Sequence, residues 1–365
     1  MYLKENIDRL QLRNPQLMEV KALKFHWLGL HAYGWNDACK IILGNLCIQI
    51  NTDFQNNAES GVFIALNILS VPEESKAQAT MSNSGEAELI HMFKGIPFTT
   101  RSSPELLKSL DAFDAREDDV LLVSYPKSGT HWLAGVITKL YDTQVTITSP
   151  IEFGDISKLE ELNNLSSKRI IPTHLDYNML PPNFKNKKCK MIYISRNPKD
   201  TAVSMYHYYR DNPNLPTIDT WTAFFDLFLK GNVVCGSWFD HFLSWEEHED
   251  DKNILFLFYE DMKKDLPTVV KKITLFLSLN VSEKDIQEIC QKSSFSEMKS
   301  DTEKENSDPS HTVCALTSNR NLIFRKGAVG DWKNHFTPKQ NRRFEEIFNE
   351  KMKLSKMAQG FIYEF

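Results

Sequence analysis

The run Val120-Leu121-Leu122-Val123-Ser124 is apolar without alternation, and it leads through Tyr125-Pro126-Lys127-Ser128-Gly129-Thr130-His131-Trp132 into apolar residues at helical spacing over Thr130–Leu140. A strand apolar on both faces has to be covered on both faces. The loop with Pro126 and Gly129 therefore joins a buried strand directly to a helix. Further strand candidates at Arg169–Thr173, Met191–Ser195 and Ile254–Phe258 alternate with helical stretches at Thr201–Arg210, Trp221–Leu229 and Thr268–Leu279. The expected fold is α/β, a single domain whose central parallel sheet is flanked by helices.

The first eighty residues have another texture: short apolar runs and then the polar stretch Pro72–Thr80, without sustained periodicity. Residues 1–80 are read as an N-terminal extension of unassigned order and 81–365 as the domain. Met81 is read either as an alternative start or as the end of a small appended element. Lys299–Ser310 is polar enough to expect a mobile loop. A net charge of −5 supplies no global field for a polyanion, so no nucleic-acid partner is expected and an anion must be held by a local cluster. Cys39, Cys47, Cys189, Cys235, Cys290 and Cys314 show no C-x-x-C spacing. That argues against a metal site and a disulfide framework, and for reduced thiols. The amino terminus lacks the pattern of a secretory signal, and the apolar stretches Ile41–Ile50 and Gly61–Val71 are about half of the ~20 residues a membrane span needs. A cytoplasmic protein without a membrane partner is expected.

Three basic elements carry the chemistry. Lys127, Ser128, Gly129 and Thr130 lie where a strand passes into a helix, and the unpaired backbone N–H groups of a helix start bind phosphate readily. The segment does not match G-x-x-x-x-G-K-[ST], because the lysine precedes the glycine and no second glycine opens the loop. Taken alone it reads better as a basic strand-to-helix turn without a ligand. Arg196 stands just beyond Ile192-Tyr193-Ile194-Ser195, with Ser204 in the next helix, and Phe324-Arg325-Lys326-Gly327 forms the third element. In an open parallel sheet the carboxyl ends of the strands form the ligand crevice. Convergence of these elements there suits a small molecule with phosphates at two positions.

YPKSGTHW, SRNPKDTAVS, LFYEDM, SSFSEM and FRKGAVGDWKNHFT, in this order and spacing, resemble the cytosolic sulfotransferase family over roughly 86–365. DAFDAREDD together with RNPKDTAVS looks closest to family 6B. The resemblance implies an enzyme that transfers the sulfuryl group of 3′-phosphoadenosine 5′-phosphosulfate (PAPS) to a hydroxyl or amine of a small apolar acceptor such as a phenol, iodothyronine, steroid or amine. The product would be 3′,5′-adenosine diphosphate (PAP), and no metal is required. It implies that Lys127, Ser128, Gly129, Thr130, His131 and Trp132 surround the 5′-phosphosulfate. Arg196, Ser204, Arg325, Lys326 and Gly327 would hold the 3′-phosphate. Trp132 and Phe295 would sandwich the adenine, with Tyr259 and Ser293 as further nucleotide contacts. His174, in Pro172-Thr173-His174-Leu175, matches the general base, and Lys127 would stabilise the leaving oxygen. Phe98, Tyr206 and Tyr208 are candidate acceptor-pocket residues.

Two positions depart from the family pattern. Pro172 stands where many members have a lysine, and the dimer signature survives only as Lys333, Thr337, Pro338 and Arg342. A homodimer of the family's kind is therefore not implied. The alternatives are a P-loop phosphotransferase, disfavoured by the missing Walker pattern, and a catalytically weak nucleotide-binding protein, disfavoured by the retention of Lys127 and His174.

Overall fold

Short apolar runs in the first eighty residues pair with one another: Ala38–Leu43 (β1), Leu46–Thr52 (β2) and Ile64–Ser70 (β3) form an antiparallel sheet in that order. Its register sets Ile41 beside Ile48 and Ile48 beside Ile68. This sheet belongs to the first of two compact units, Met1–Glu86 and Ala87–Phe365. The computed structural model describes residues 38–43, 46–52, 64–70, 89–141, 145–304 and 323–365. Met81 and Cys314 lie outside them.

The second unit opens on a hairpin of Ile90–Phe93 (β4) and Ile96–Thr99 (β5). Lys94 and Gly95 both have positive φ, 49° and 81°, which matches the right-handed twist of a two-residue hairpin turn. The expected parallel sheet follows. Val120–Val123 (β6), Val145–Ile147 (β7), Lys168–Thr173 (β8), Lys190–Ser195 (β9) and Ile254–Phe258 (β10) lie in the order β10-β9-β6-β8-β7, parallel throughout. Sequence periodicity missed β7, a three-residue edge strand that is only half buried.

The lack of alternation in β6 now has its cause. Leu121 and Val123 pack on one face with Ile171, Met191 and Tyr193, while Val120 and Leu122 pack on the other with Ile170, Ile192 and Ile194. Helix α1 (Thr130–Tyr141) covers the second face through Leu133, Val136 and Ile137. Helix α2 (Pro198–Asp211) covers the first through Met205 and Tyr209. The Asn197 side chain caps α2 by accepting from Asp200 N, and Pro198 takes the first turn, where no N–H is needed. The other expected helices form at Trp221–Lys230 and Leu266–Phe276.

Residues 299–304, expected in a loop, belong to a helix, Phe295–Lys304 (α3), whose start is fixed where Glu297 N donates to Ser294 Oγ at 3.3 Å. Residues 305–310 of that stretch lie outside the described set. Pro172 sits within β8, yet its ring costs no bond to β6. Ile151 N donates to Pro172 O at 3.0 Å, so the missing N–H points to the same side, beyond the end of β7.

Arg169, near the start of β8, and Asp119, just before β6, form a fully buried ion pair. Arg169 Nε and Nη2 donate to the two carboxylate oxygens at 2.7 and 2.5 Å, and Nη1 donates to Leu162 O at 2.9 Å. Cys189, Cys235 and Cys290 are free thiols. Among the described residues no helix is long and apolar enough to cross a membrane.

Candidate active site

From β6 the chain crosses to the edge strand β7, returns inward to β8 beside β6, and then crosses to β9 on the other side. The carboxyl end of β6 is thus the switch point at which a parallel sheet leaves a crevice. Tyr125–Gly129 turns there into α1. Lys127 and Gly129 both have positive φ, 69° and 112°, a conformation that turns successive backbone N–H groups toward one point. Only glycine fits at 129, since an added Cβ would stand 2.9 Å from the Tyr259 ring and 3.2 Å from Ile194.

The three basic elements meet in one cleft at this point. The loop contributes Lys127, Gly129, Thr130, His131 and Trp132; the end of β9 and α2 contribute Arg196 and Ser204. Arg325, Lys326 and Gly327 close the far wall with Tyr259 and Phe295, and His174 enters from the end of β8. Ser128 and Ser293 are not among the lining residues. Both are fully buried, and their hydroxyls have no protein partner. Of the expected acceptor residues, Tyr208 lines the cleft, whereas Phe98 packs with His91 and Phe93, and Tyr206 packs with Trp221 and Phe224. The apolar lining comes instead from side chains such as Phe153, Met205, Leu215 and Val234.

Arg196 ties the walls together. Its Nη1 donates to Lys127 O at 3.3 Å, its Nη2 to Ala328 O at 3.0 Å, and its guanidinium stacks 4.5 Å from the Tyr259 ring centre. Arg196 Nε and Arg325 Nε are buried without partners. A buried donor left unpaired costs about 1–3 kcal/mol, so these walls are arranged for an anion with several oxygens. Lys127 belongs to the same basic cluster. Burial, with Arg196 and Arg325 nearby, lowers its pKa to about 7, and its ammonium lies 4.4 Å from the Tyr208 ring centre.

His174 is held by its backbone and by its ring. Its N–H donates to Glu152 Oε1 at 2.8 Å, while Glu152 Oε2 accepts from the Thr173 hydroxyl at 2.9 Å. Its Nδ1 lies 2.8 Å from Ser124 O. A carbonyl can only accept, so Nδ1 carries a proton, and Nε2 is the ring nitrogen not engaged in this bond. Trp132 Nε1 donates to Ser293 O at 2.8 Å, which fastens the loop to the segment bearing Phe295. The two rings expected around an adenine have different neighbours, Trp132 meeting Tyr259 and Phe295 meeting Phe324. Gly327 leaves room for Phe295, because a Cβ there would approach its ring to 2.3 Å.

The protein family described as Sulfotransferase domain matches residues 117–356, which span this cleft and the sheet beneath it. The chain belongs to the sulfotransferase family. Sulfotransferase 6B1 of Danio rerio is 38% identical over 293 residues, 78% of this chain and 96% of that protein. The amine sulfotransferase of Oryctolagus cuniculus is 38% identical over 273 residues, 72% and 90% of the two chains. The crystal structure of mouse sulfotransferase SULT7A1 complexed with PAP is 63% identical, covers 75% of this chain and 97% of that one, and superposes with a TM-score of 0.72. The chain is a sulfotransferase enzyme.

This sulfotransferase also relies on acids that sequence reasoning missed. Asp331 pairs with Arg325 and Lys326 and accepts from Asn334 Nδ2 at 2.9 Å. Burial would raise its pKa, but these hydrogen bonds outweigh that effect and hold the carboxyl well below the usual range. Asp200 accepts from Gly330 N at 2.8 Å and from Trp332 N at 2.9 Å, which docks the third basic element against α2. Glu260 accepts from Asn197 N at 2.9 Å, and burial raises its pKa to about 7. The only sequence signal for Asp331 was an acid a few residues beyond Arg325 and Lys326. Glu152 had none, because its partners are distant in the chain.

Proposed function

We propose that this sulfotransferase moves the sulfuryl group of PAPS onto a hydroxyl or amine of a small, largely apolar acceptor, with His174 as general base. One observation carries the reading: the His174 imidazole, anchored through Nδ1 to Ser124 O, shares a cleft with four basic side chains, Lys127, Arg196, Arg325 and Lys326. The PAP complex of the 63% identical mouse enzyme supports the choice of donor, and the name of the rabbit relative keeps amines among the acceptors. Orphaned buried donors at Arg196 and Arg325 suit a ligand phosphorylated at two positions. When bound, PAPS supplies an activated sulfuryl group. His174 Nε2 takes the acceptor's proton as its oxygen or nitrogen bonds to sulfur. Lys127 neutralises charge on the oxygen that departs as the S–O bond breaks. Arg196, Arg325 and Lys326 hold the phosphates in place, and the apolar wall of Phe153, Met205, Leu215 and Val234 receives the acceptor body.

The test is ligand preference followed by transfer. PAP should bind at least about tenfold more tightly than 5′-AMP, since a charge-assisted contact contributes roughly 1.5–3 kcal/mol. Arg196→Ala or Arg325→Ala should erase most of that difference in calorimetry. Equal affinities for the two nucleotides, or no labelled sulfate transfer to any member of a phenol, steroid and amine panel, would remove the proposal.

Lys127 adds a pH dependence. With its free-state pKa lowered to about 7, most of the protein holds a neutral amine at pH 8.5, and an anionic ligand must draw a proton onto it. PAP affinity should therefore fall as pH rises above 7, by up to about tenfold per unit, with net proton uptake. Calorimetry in buffers of different ionisation enthalpy measures both quantities. Affinity flat from pH 7 to 9 would mean that the lysine stays charged throughout.

A further inference from the structure

Ser124, the residue after β6, is fully buried and makes four polar approaches. Its N–H donates to Thr173 O at 3.2 Å, and its carbonyl accepts from His174 Nδ1 at 2.8 Å. Its hydroxyl oxygen lies 3.4 Å from the same Nδ1 and shares a short hydrogen bond with the Thr130 hydroxyl. Thr130 lines the cleft as the first residue of α1. Ser124 thus touches both the phosphate-binding loop and the base.

We infer that Ser124 is a positioning residue through which an anion seated in the loop sets the orientation and polarisation of His174. The inference rests on the roles proposed above for His174 and for the loop. Its mechanism is a count of hydroxyl protons. The Ser124–Thr130 bond uses one proton, and either oxygen can be the donor. An anion brings acceptors only, so the Thr130 hydroxyl turns its proton toward it. The Thr130 oxygen must then accept from Ser124. With its own proton committed, the Ser124 oxygen presents lone pairs to His174 Nδ1–H beside those of its carbonyl. Two acceptors then grip one N–H, the ring loses freedom, and electron density at Nε2 rises. With the loop empty, Thr130 can donate to Ser124, and the Ser124 proton then competes with Nδ1–H. The base is thereby readied when the donor's anionic end is in place.

Ser124→Ala should lower kcat by roughly 10–10²-fold, the scale of a small misplacement of a reacting group, with the KM for PAPS and the Kd for PAP within about twofold of wild type. Ser124→Thr keeps the hydroxyl and should retain most of the rate. In a His174→Ala background, Ser124→Ala should change the rate no further, because its effect passes through the missing ring. In wild-type protein with 15N-labelled histidine, PAP should shift the His174 Nδ1 resonance. A wild-type kcat in Ser124→Ala, an equal loss in the His174→Ala background, or a resonance unmoved by PAP each overturns the inference. The NMR arm stands even if the alanine variant folds poorly. Full turnover by His174→Ala would instead remove the base assignment, a separate failure.

Discussion

Replacing His174 with alanine is expected to lower kcat by ~10²–10⁴-fold while leaving PAP affinity within about twofold. The ring nitrogen facing the protein is bound to Ser124 O and the backbone N–H to Glu152, so protein groups hold the ring, and an anion in the loop adds to that hold only through Ser124. In the proposed mechanism nucleotide binding rests on other residues. Lys127→Ala should lower both kcat and PAP affinity, since in that mechanism the Lys127 side chain, close to Arg196 and Arg325, meets the bound phosphates as well as the departing oxygen. Acceptor chemistry sharpens the contrast. A phenol with a pKa below ~7 is already ionised at neutral pH and has less need of a base, so His174→Ala should recover more activity on acidic phenols than on alcohols. Equal losses on both acceptor types, or a large loss of PAP affinity in His174→Ala, would show that the histidine organises the cleft instead of moving a proton.

Asp119→Ala should destabilise the fold by about 3–5 kcal/mol, the cost of leaving one partner of a buried ion pair unpaired. Against a typical total stability of 5–15 kcal/mol this is enough to empty much of the native state on mild heating. Arg169 has no water to fall back on: its side chain is 0% exposed, and Asp119 meets its Nε and Nη2. Arg169 stands near the start of β8 and His174 just beyond its end, so whatever protein remains folded should keep its PAP affinity. Urea denaturation of Asp119→Ala measures the first quantity and calorimetry the second. A loss under about 1 kcal/mol would mean that the guanidinium finds other acceptors or water. Replacing both partners by apolar residues of similar volume should cost less than the single change.

Sequence alone determined the parallel sheet and the order of its motifs. A strand apolar on both faces has one stable setting, between two layers of helices, and β6, β8, β9 and β10 are legible because that demand is local. The Tyr125–Gly129 loop is legible for the same reason, since its strand, glycine and helix start are contiguous. The first unit's antiparallel strands and the edge strand β7 were not legible. Such short runs become strands only when a partner supplies the other half of the hydrogen bonds.

What only the tertiary structure decided is which side chains face the cleft and what holds them there. Phe98 and Tyr206 have the composition of pocket residues, yet packing against His91, Phe93, Trp221 and Phe224 turns them into the core. Asp331 holds Arg325 and Lys326 by a short-range turn, but Asp200 reaches Gly330 and Trp332 across more than a hundred residues, and Glu152 reaches His174 across 22. The tautomer of His174 follows from a carbonyl 50 residues away. A hydrogen bond acts over about 3 Å of space and is indifferent to chain separation. A linear sequence can therefore announce the chemical groups of this site, while only the folded sheet brings their partners within that reach.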